Sequence, residues 1–274
     1  MKETILLIGH GSRDVDGNEE IEDFADYWRQ KRPDLDIEVC FIEFADVLVP
    51  DGLKKAAKKA KRVIAMPLIL NAAGHVKMEI PGFIKQAREK HPKVTFVTGR
   101  HLGLDEKVLK LLRRRLHSAM AAMDMPDPKS TGVVVLGRGA SDMDANGNIA
   151  KMARWLYETT RHELVEYAFT GVTYPRLESA VNRLVRLGAT QVIVVPYYLF
   201  TGRLIKRIQR QVERIKGQYP TIPMGLAGYL GIHDLLIEVV EQRLEEAKRG
   251  EVLECDGCKF REIAEEHHDH HHHH

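Results

Sequence analysis

The chain repeats itself. At a nearly constant offset of 128 residues, Gly9-His10-Gly11 stands opposite Gly137-Arg138-Gly139, Glu38 opposite Glu166, Gly74-His75 opposite Gly202-Arg203, and Leu102-Gly103 opposite Leu230-Gly231. Lys90-His91-Pro92 meets Gln218-Tyr219-Pro220 in the same register. A duplication turns one site into two candidates that can be compared position by position. Within the first copy, apolar runs predict strands at 4–8, 36–42, 62–69 and 93–98, with helices at 18–31, 51–60, 78–90 and 105–122 between and after them. The second copy predicts strands at 132–136, 164–170, 190–195 and 222–226, and helices at 145–160, 176–187, 204–216 and 233–248. Strict βα alternation points to the α/β class, with two parallel four-stranded sheets flanked by helices. The short proline-bounded stretch 125–130 connects the copies, giving lobes 1–124 and 131–250 and a tail 251–274.

In parallel α/β sheets, functional groups collect beyond the carboxyl ends of the strands. The first predicted strand runs into Gly9-His10-Gly11-Ser12-Arg13-Asp14, whose glycines allow a sharp turn and whose Ser12 or Asp14 can cap a helix starting near Asn18 or Glu19. The second strand ends at Glu43, and the third leads to Gly74-His75. If the strands are parallel, His10, Glu43 and His75 share one edge, as a metal-holding or proton-moving group would. Glu43 has a second reading, as a helix cap or a partner of Lys54 or Lys55. In the second copy both histidines are arginines and Glu43 falls opposite Gly171. Neutral imidazole binds a transition metal, whereas guanidinium binds carboxylate or phosphate in a fork. One lobe is thus expected to hold a metal, the other an anion.

With 41 basic and 39 acidic residues among 274, the net charge of +2 provides no global field that would demand nucleic acid. The lysine run from Lys54 to Lys61 lacks interleaved aromatics and reads as the wet face of a helix. No apolar run approaches the roughly 20 residues of a membrane span, and Met1-Lys2-Glu3-Thr4 lacks a secretory pattern, so no membrane partner and a cytoplasmic location are expected. Cys40 reads as a small core residue, and Cys255 and Cys258 form a Cys-x-x-Cys pair, half of a zinc or iron–sulfur site. His91, His101, His117, His162 and His233 fall on predicted helix ends or loops and read as structural or exposed.

The motifs Gly9-His10-Gly11-Ser12-Arg13, Glu43 followed by Ala45-Asp46, and Gly74-His75 leading to Glu79-Ile80-Pro81 resemble those of the class II metal chelatases of tetrapyrrole synthesis, in particular the long, two-lobe, CbiX-type sirohydrochlorin cobaltochelatases. The resemblance covers residues 1–250, and the tail from Cys255 to Arg261 is similar to that of some long members. Where the family commonly has Asp before Ile-Pro, this chain has Glu79. The resemblance implies two Rossmann-like lobes with the active site in the cleft between them. It also implies insertion of Co²⁺ into sirohydrochlorin for anaerobic-type cobalamin synthesis, with Fe²⁺ for sirohaem as the nearest alternative and Ni²⁺ compatible with the same ligands. His10, Glu43 and His75 are then the catalytic and metal-handling groups. Arg13, Ser12, Arg138 and Arg203 are the expected contacts to the carboxylates of the anionic tetrapyrrole, in a monomer or homodimer. A reading from a different class makes the chain a non-catalytic metal carrier working through its Cys pair and His-rich tail.

Overall fold

The computed structural model describes residues 2–71, 73–124 and 127–250, with the backbone alone at His75 and Val76. The Cys255/Cys258 pair and the His-rich tail lie outside the described residues, as do Met125 and Pro126 of the expected connection. The first series is β1 (Glu3–Gly9), α1 (Val15–Lys31), β2 (Ile37–Phe41), α2 (Val49–Lys59) and β3 (Arg62–Pro67). A π-helical turn (His75–Glu79) then leads into α3 (Ile80–Lys90), β4 (Thr95–Thr98) and α4 (Glu106–Ala121). The second series is β5 (Thr131–Gly137), α5 (Met143–Thr159), β6 (Leu164–Phe169), α6 (Leu177–Arg186), β7 (Gln191–Pro196), α7 (Arg203–Gln218), β8 (Met224–Leu226) and α8 (Asp234–Lys248).

The strands form two four-stranded parallel sheets, ordered β2-β1-β3-β4 and β6-β5-β7-β8. The expected α/β duplication is therefore present, with the same topology in both halves. Each central strand is buried on both faces, which is why it reads as a continuous apolar run rather than an alternating one. In β1, Leu6 and Ile8 pack with Cys40, Leu53 and Ile84 under α2 and α3, while Ile5 and Leu7 face the interior of the molecule.

That interior is a single core shared by both sheets. It joins Phe24 and Trp28 of α1, Leu111 and Leu112 of α4, and Val133 and Val135 of β5 to Val239 and Val240 of α8. Phe24 and Trp28 are fully buried, and truncating either to alanine costs about 3–5 kcal/mol. The fourth helix of each series is exchanged: α4 packs on β7 and β8 of the second sheet, and α8 on β3 and β4 of the first. Two arginines in matching repeat positions fasten the exchange. Arg243 of α8 donates to the Leu102 carbonyl (2.9 Å), and Arg115 of α4 to that of Leu230. Trp28 of α1 and Arg32 just after it reach Glu241 of α8 as well.

Two expectations are corrected. Helix α1 begins at Val15, not near Asn18, because Asn18 turns back from the first turn to bond the chain before it. His117 lies within α4 and is exposed, rather than at a helix end. Cys40 is buried in the core as expected, and the burial pushes its thiol pKa well above the ordinary value. On α2, Lys54, Lys55 and Lys58 face solvent, and Lys55 and Lys59 pair with Glu38. Among the described residues, no helix is long and apolar enough to cross a membrane.

Candidate active site

Strand pairing continues past the ends of β1 and β2, and this sets two groups side by side. Ile42 N–H donates to the Gly9 carbonyl (3.0 Å) and Glu43 N–H to that of His10 (3.1 Å). The two side chains lie on the same edge, with His10 Nδ1 3.5 Å from Glu43 Oε1 and each about one-third exposed or less. Gly11 makes the approach possible. It sits at φ +90°, and a Cβ there would lie 1.7 Å from the Glu43 carbonyl oxygen. Asn18 holds the turn from below, accepting from Ser12 N–H (2.8 Å) and donating to the Ser12 and Phe44 carbonyls. Ser12 Oγ accepts from Asp14 N–H at 3.0 Å, so the hydroxyl oxygen closes the turn.

The second lobe reproduces this backbone with different side chains. Gly171 N–H donates to the Arg138 carbonyl (3.0 Å), Gly139 sits at φ +84°, and Asn146 braces Ala140 as Asn18 braces Ser12. Phe44 and Val172 both take positive φ, 54° and 64°, at equivalent points of the following loops.

The two strand ends face each other across a cleft, and Arg138 Nη1 comes within 3.0 Å of His10 Nε2. A guanidinium can only donate, so Nε2 is the acceptor and the imidazole is neutral with its proton on Nδ1. That proton faces the Gly11 carbonyl (3.3 Å) and the Glu43 carboxylate. The expected anion-binding arginine therefore stands directly against the expected metal-binding nitrogen.

The cleft has a volume of about 1590 Å³, above the several hundred Å³ usual for small-ligand sites. Its walls carry His10, Glu43 and Arg138 beside apolar groups such as Phe44, Met78 and Val172. Arg13 and Arg203 also line it; both are exposed, and the Arg13 guanidinium lies 4.6 Å from the centre of the Phe44 ring. His75 opens the π-helical turn on this wall, but its side chain lies outside the described residues. Among the described residues, no group of three or more His, Cys, Asp or Glu side chains gathers in metal-binding geometry.

Two cross-lobe ion-pair sets flank the opening. Lys206 of α7 reaches Asp14 (2.8 Å) and Asp16 (2.6 Å) at the start of α1, and the hydrogen bonds to those carboxylates raise its pKa. Lys77 of the π-helical turn reaches Asp142 and Asp144 at the start of α5. Burial alone would raise the Asp142 pKa, but the bonds from Lys77 and from Ala145 N–H outweigh it and the net shift is downward. Asp14 thus sits at the N-cap of α1 as expected, yet its carboxylate serves Lys206 instead of the helix.

The remaining histidines have other positions. Burial pushes His101 down to about 4, helped by Arg100, Arg243 and Lys77, and its Nδ1 is buried without a hydrogen-bond partner. His162 is buried with Nδ1 3.4 Å from the Thr131 carbonyl; His233 caps α8 by accepting from Leu235 N–H. His91 ends α3.

The sequence pattern of the CbiX family matches residues 4–119 and again residues 132–247. The chain belongs to the CbiX family. Among curated relatives, this CbiX chain is 42% identical over 270 residues to the sirohydrochlorin cobaltochelatase of Priestia megaterium, covering 96% of this chain and 86% of that one. It is 29% identical to the sirohydrochlorin ferrochelatase of Bacillus subtilis (strain 168), covering 85% and 87%. Among solved structures, it superposes on SirB from Bacillus subtilis with Fe³⁺ at a TM-score of 0.79, with 28% identity and coverage of 92% and 98%. SirB of the subspecies spizizenii in complex with cobalt gives 0.74, with 26% identity and coverage of 92% and 97%.

Sequence reasoning missed several residues in and around the cleft of this CbiX chain. Lys206 and its aspartates repeat as Lys77 with Asp142 and Asp144, but the lysines are one residue out of repeat register, so the comparison at 128 passes over them. Asn18 and Asn146 are in register and could have been found. Tyr198, whose hydroxyl meets Thr170 Oγ1 at 2.8 Å, has no polar counterpart, since its repeat partner is Leu70. Burial pushes the Tyr198 phenol up to about 12, against the opposing effects of Thr170, Arg138 and Arg207.

Proposed function

We propose that this chain is a sirohydrochlorin cobaltochelatase that inserts Co²⁺ into sirohydrochlorin, exchanging two pyrrole N–H protons for the metal. The observation that carries the reading is the His10–Glu43 pair, facing a guanidinium across a cleft large enough for a macrocycle. The preference for cobalt over iron rests on the relatives, 42% against 29% identity.

His10 supplies a neutral imidazole whose Nε2 lone pair points into the cleft. Glu43, beside Nδ1–H, fixes the tautomer and raises the basicity of Nε2, as carboxylates do behind metal-ligating histidines. The metal and Arg138 compete for that nitrogen, so Arg138 must turn away when the metal arrives. A substrate carboxylate gives it somewhere to go, since forked arginine–carboxylate pairing is the strongest hydrogen bonding open to it. His75 is the second metal-handling group in this reading. A site of two imidazoles and one carboxylate leaves open positions, as transfer requires; a closed four-ligand site retains its metal. Once the metal has left them, the imidazole nitrogens that held it and the Glu43 carboxylate are the acceptors for the two departing protons. Arg13, Arg203 and Ser12 contact the carboxylate rim.

The test is visible absorption of the protein mixed with sirohydrochlorin and either Co²⁺ or Fe²⁺. Conversion faster with Co²⁺ than with Fe²⁺, and lost in His10→Ala, is the expected result. Faster conversion with Fe²⁺ makes the chain a ferrochelatase; no conversion by folded protein removes the catalytic reading.

A further inference from the structure

Helix α7 carries cationic residues on every turn, and their pairing divides them into two sets. Lys206 is neutralised by Asp14 and Asp16, Arg214 by Glu178 and Lys216 by Glu213. Arg203, Arg207 and Arg210 lie at helical spacings of four and three, which puts them on one face. All three are exposed, all three line the cleft, and among the described residues none has a carboxylate partner. Arg210 makes one bond, to the Lys206 carbonyl at 3.3 Å. Of the cations that α7 presents to the cleft, Lys206 is therefore balanced by the first lobe and the three arginines are left without a carboxylate among the described residues.

The opposite wall lacks this property. At the repeat positions of Arg203, Arg207 and Arg210 the first lobe has His75, Glu79 and Gly82. Arg207 stands where the cleft opens into a side notch of about 320 Å³ that also holds Arg176. Tyr198 lines the cleft with Arg207 and Arg138, and the charges of both arginines oppose the upward shift that burial gives its phenol. A flat polyanion entering the cleft therefore meets one basic wall and one on which Asp14, Glu43 and Glu79 outnumber the single cation Arg13.

We propose that Arg207 and Arg210 are specificity-determining residues: they select a macrocycle rich in peripheral carboxylates and orient it with its anionic edge along α7. The second lobe, without a metal-binding histidine of its own, thus reads the substrate for the first. This rests on the chelatase reading. Multiple carboxylates are needed to engage several unpaired guanidinium groups, each of which donates a fork of two N–H bonds to a carboxylate's two oxygens.

The test measures metal-free binding of sirohydrochlorin by fluorescence, and steady-state insertion of Co²⁺, in wild type, Arg207→Gln/Arg210→Gln, Arg207→Lys/Arg210→Lys and the same-helix control Lys216→Gln. The double glutamine variant is expected to raise Kd and KM at least tenfold with kcat within about threefold, and to weaken the dependence of binding on salt. The lysine pair restores part of the loss. A porphyrin with only two carboxylates binds wild type and the glutamine variant alike, and Lys216→Gln behaves as wild type. Unchanged KM and salt dependence in the double glutamine variant of an active enzyme overturn the proposal, as does a loss confined to kcat. Wild-type protein that binds sirohydrochlorin in this arginine-dependent way but converts it with no metal breaks the chelatase reading and leaves the anion-reading wall intact.

Discussion

The two lobes share one backbone and differ in what stands on it. Gly11 and Gly139, Asn18 and Asn146, Phe44 and Val172 occupy matching places with matching conformations, so the turns after β1 and β5 are built alike. On those turns one lobe carries His10 with Glu43 beside it, and the other carries Arg138 with Gly171. A fold tolerates a change of side chain at a strand end because the backbone there is held by its own hydrogen bonds and by asparagine braces behind it. Chemistry has diverged where packing exerts least control.

The sharpest way to break this comparison is to remove the histidines. His10→Ala or His75→Ala is expected to lower the insertion rate by about 10²–10⁴-fold, the range typical of a lost proton-transfer group. Arg138→Ala and Arg203→Ala should act mainly on KM. Equal loss of kcat from both lobes would mean that catalysis is shared between them.

His101 separates the lobes by pH. Its repeat partner is Tyr229, so the first lobe alone has an imidazole at this position, half-buried with its Nδ1 out of solvent. Its pKa falls from an ordinary 6.5 to about 4 on folding, through burial first and then neighbouring cations. Between those values the unfolded chain takes up a proton that the folded chain refuses. Stability therefore falls as pH drops from about 6.5 towards 4 and levels off below, by up to about 3 kcal/mol from this group. Buried His162, also shifted downward, adds in the same direction. Urea unfolding at pH 7 and pH 5 should show a smaller pH effect in His101→Leu than in wild type.

Gly11→Ala and Gly139→Ala test the shared backbone. Both glycines sit at positive φ, and an added Cβ would lie 1.7 Å from the Glu43 carbonyl oxygen or 2.2 Å from that of Gly171. Each substitution should cost about 1–3 kcal/mol, read by thermal or chemical unfolding. Only Gly11→Ala should also depress kcat, because it pushes Glu43 away from His10. The smallest expected effect is at Arg138. Replacing it with alanine removes a guanidinium from beside His10 Nε2 and should tighten Co²⁺ binding to the substrate-free protein a few-fold in a titration, while weakening sirohydrochlorin binding.

Much of this was legible in the chain. Apolar runs marked the eight strands of the described residues, most plainly the central ones, which are buried on both faces, and helix ends at Lys31 and Lys90 were marked by Pro33 and Pro92. The edge shared by His10 and Glu43 followed from parallel strands. What stayed hidden was pairing between distant side chains. Nothing local in Lys206 announces Asp14 and Asp16, and nothing in Arg207 or Arg210 distinguishes them from Arg214 until Glu178 is seen to take the latter.

The duplication, the two parallel sheets, and the exchange of histidine for arginine at their strand ends are all written locally in the chain. These depend on periodicity and on glycine and proline chemistry, which act over a few residues. Only the tertiary structure decided that α4 and α8 change places, that Arg138 meets His10, and that the unbalanced charge of α7 faces the cleft. An amphipathic helix must bury its apolar face, but either sheet of a duplicated protein offers a surface to bury it on. A charge, likewise, is free or neutralised according to neighbours that the fold brings from far along the chain.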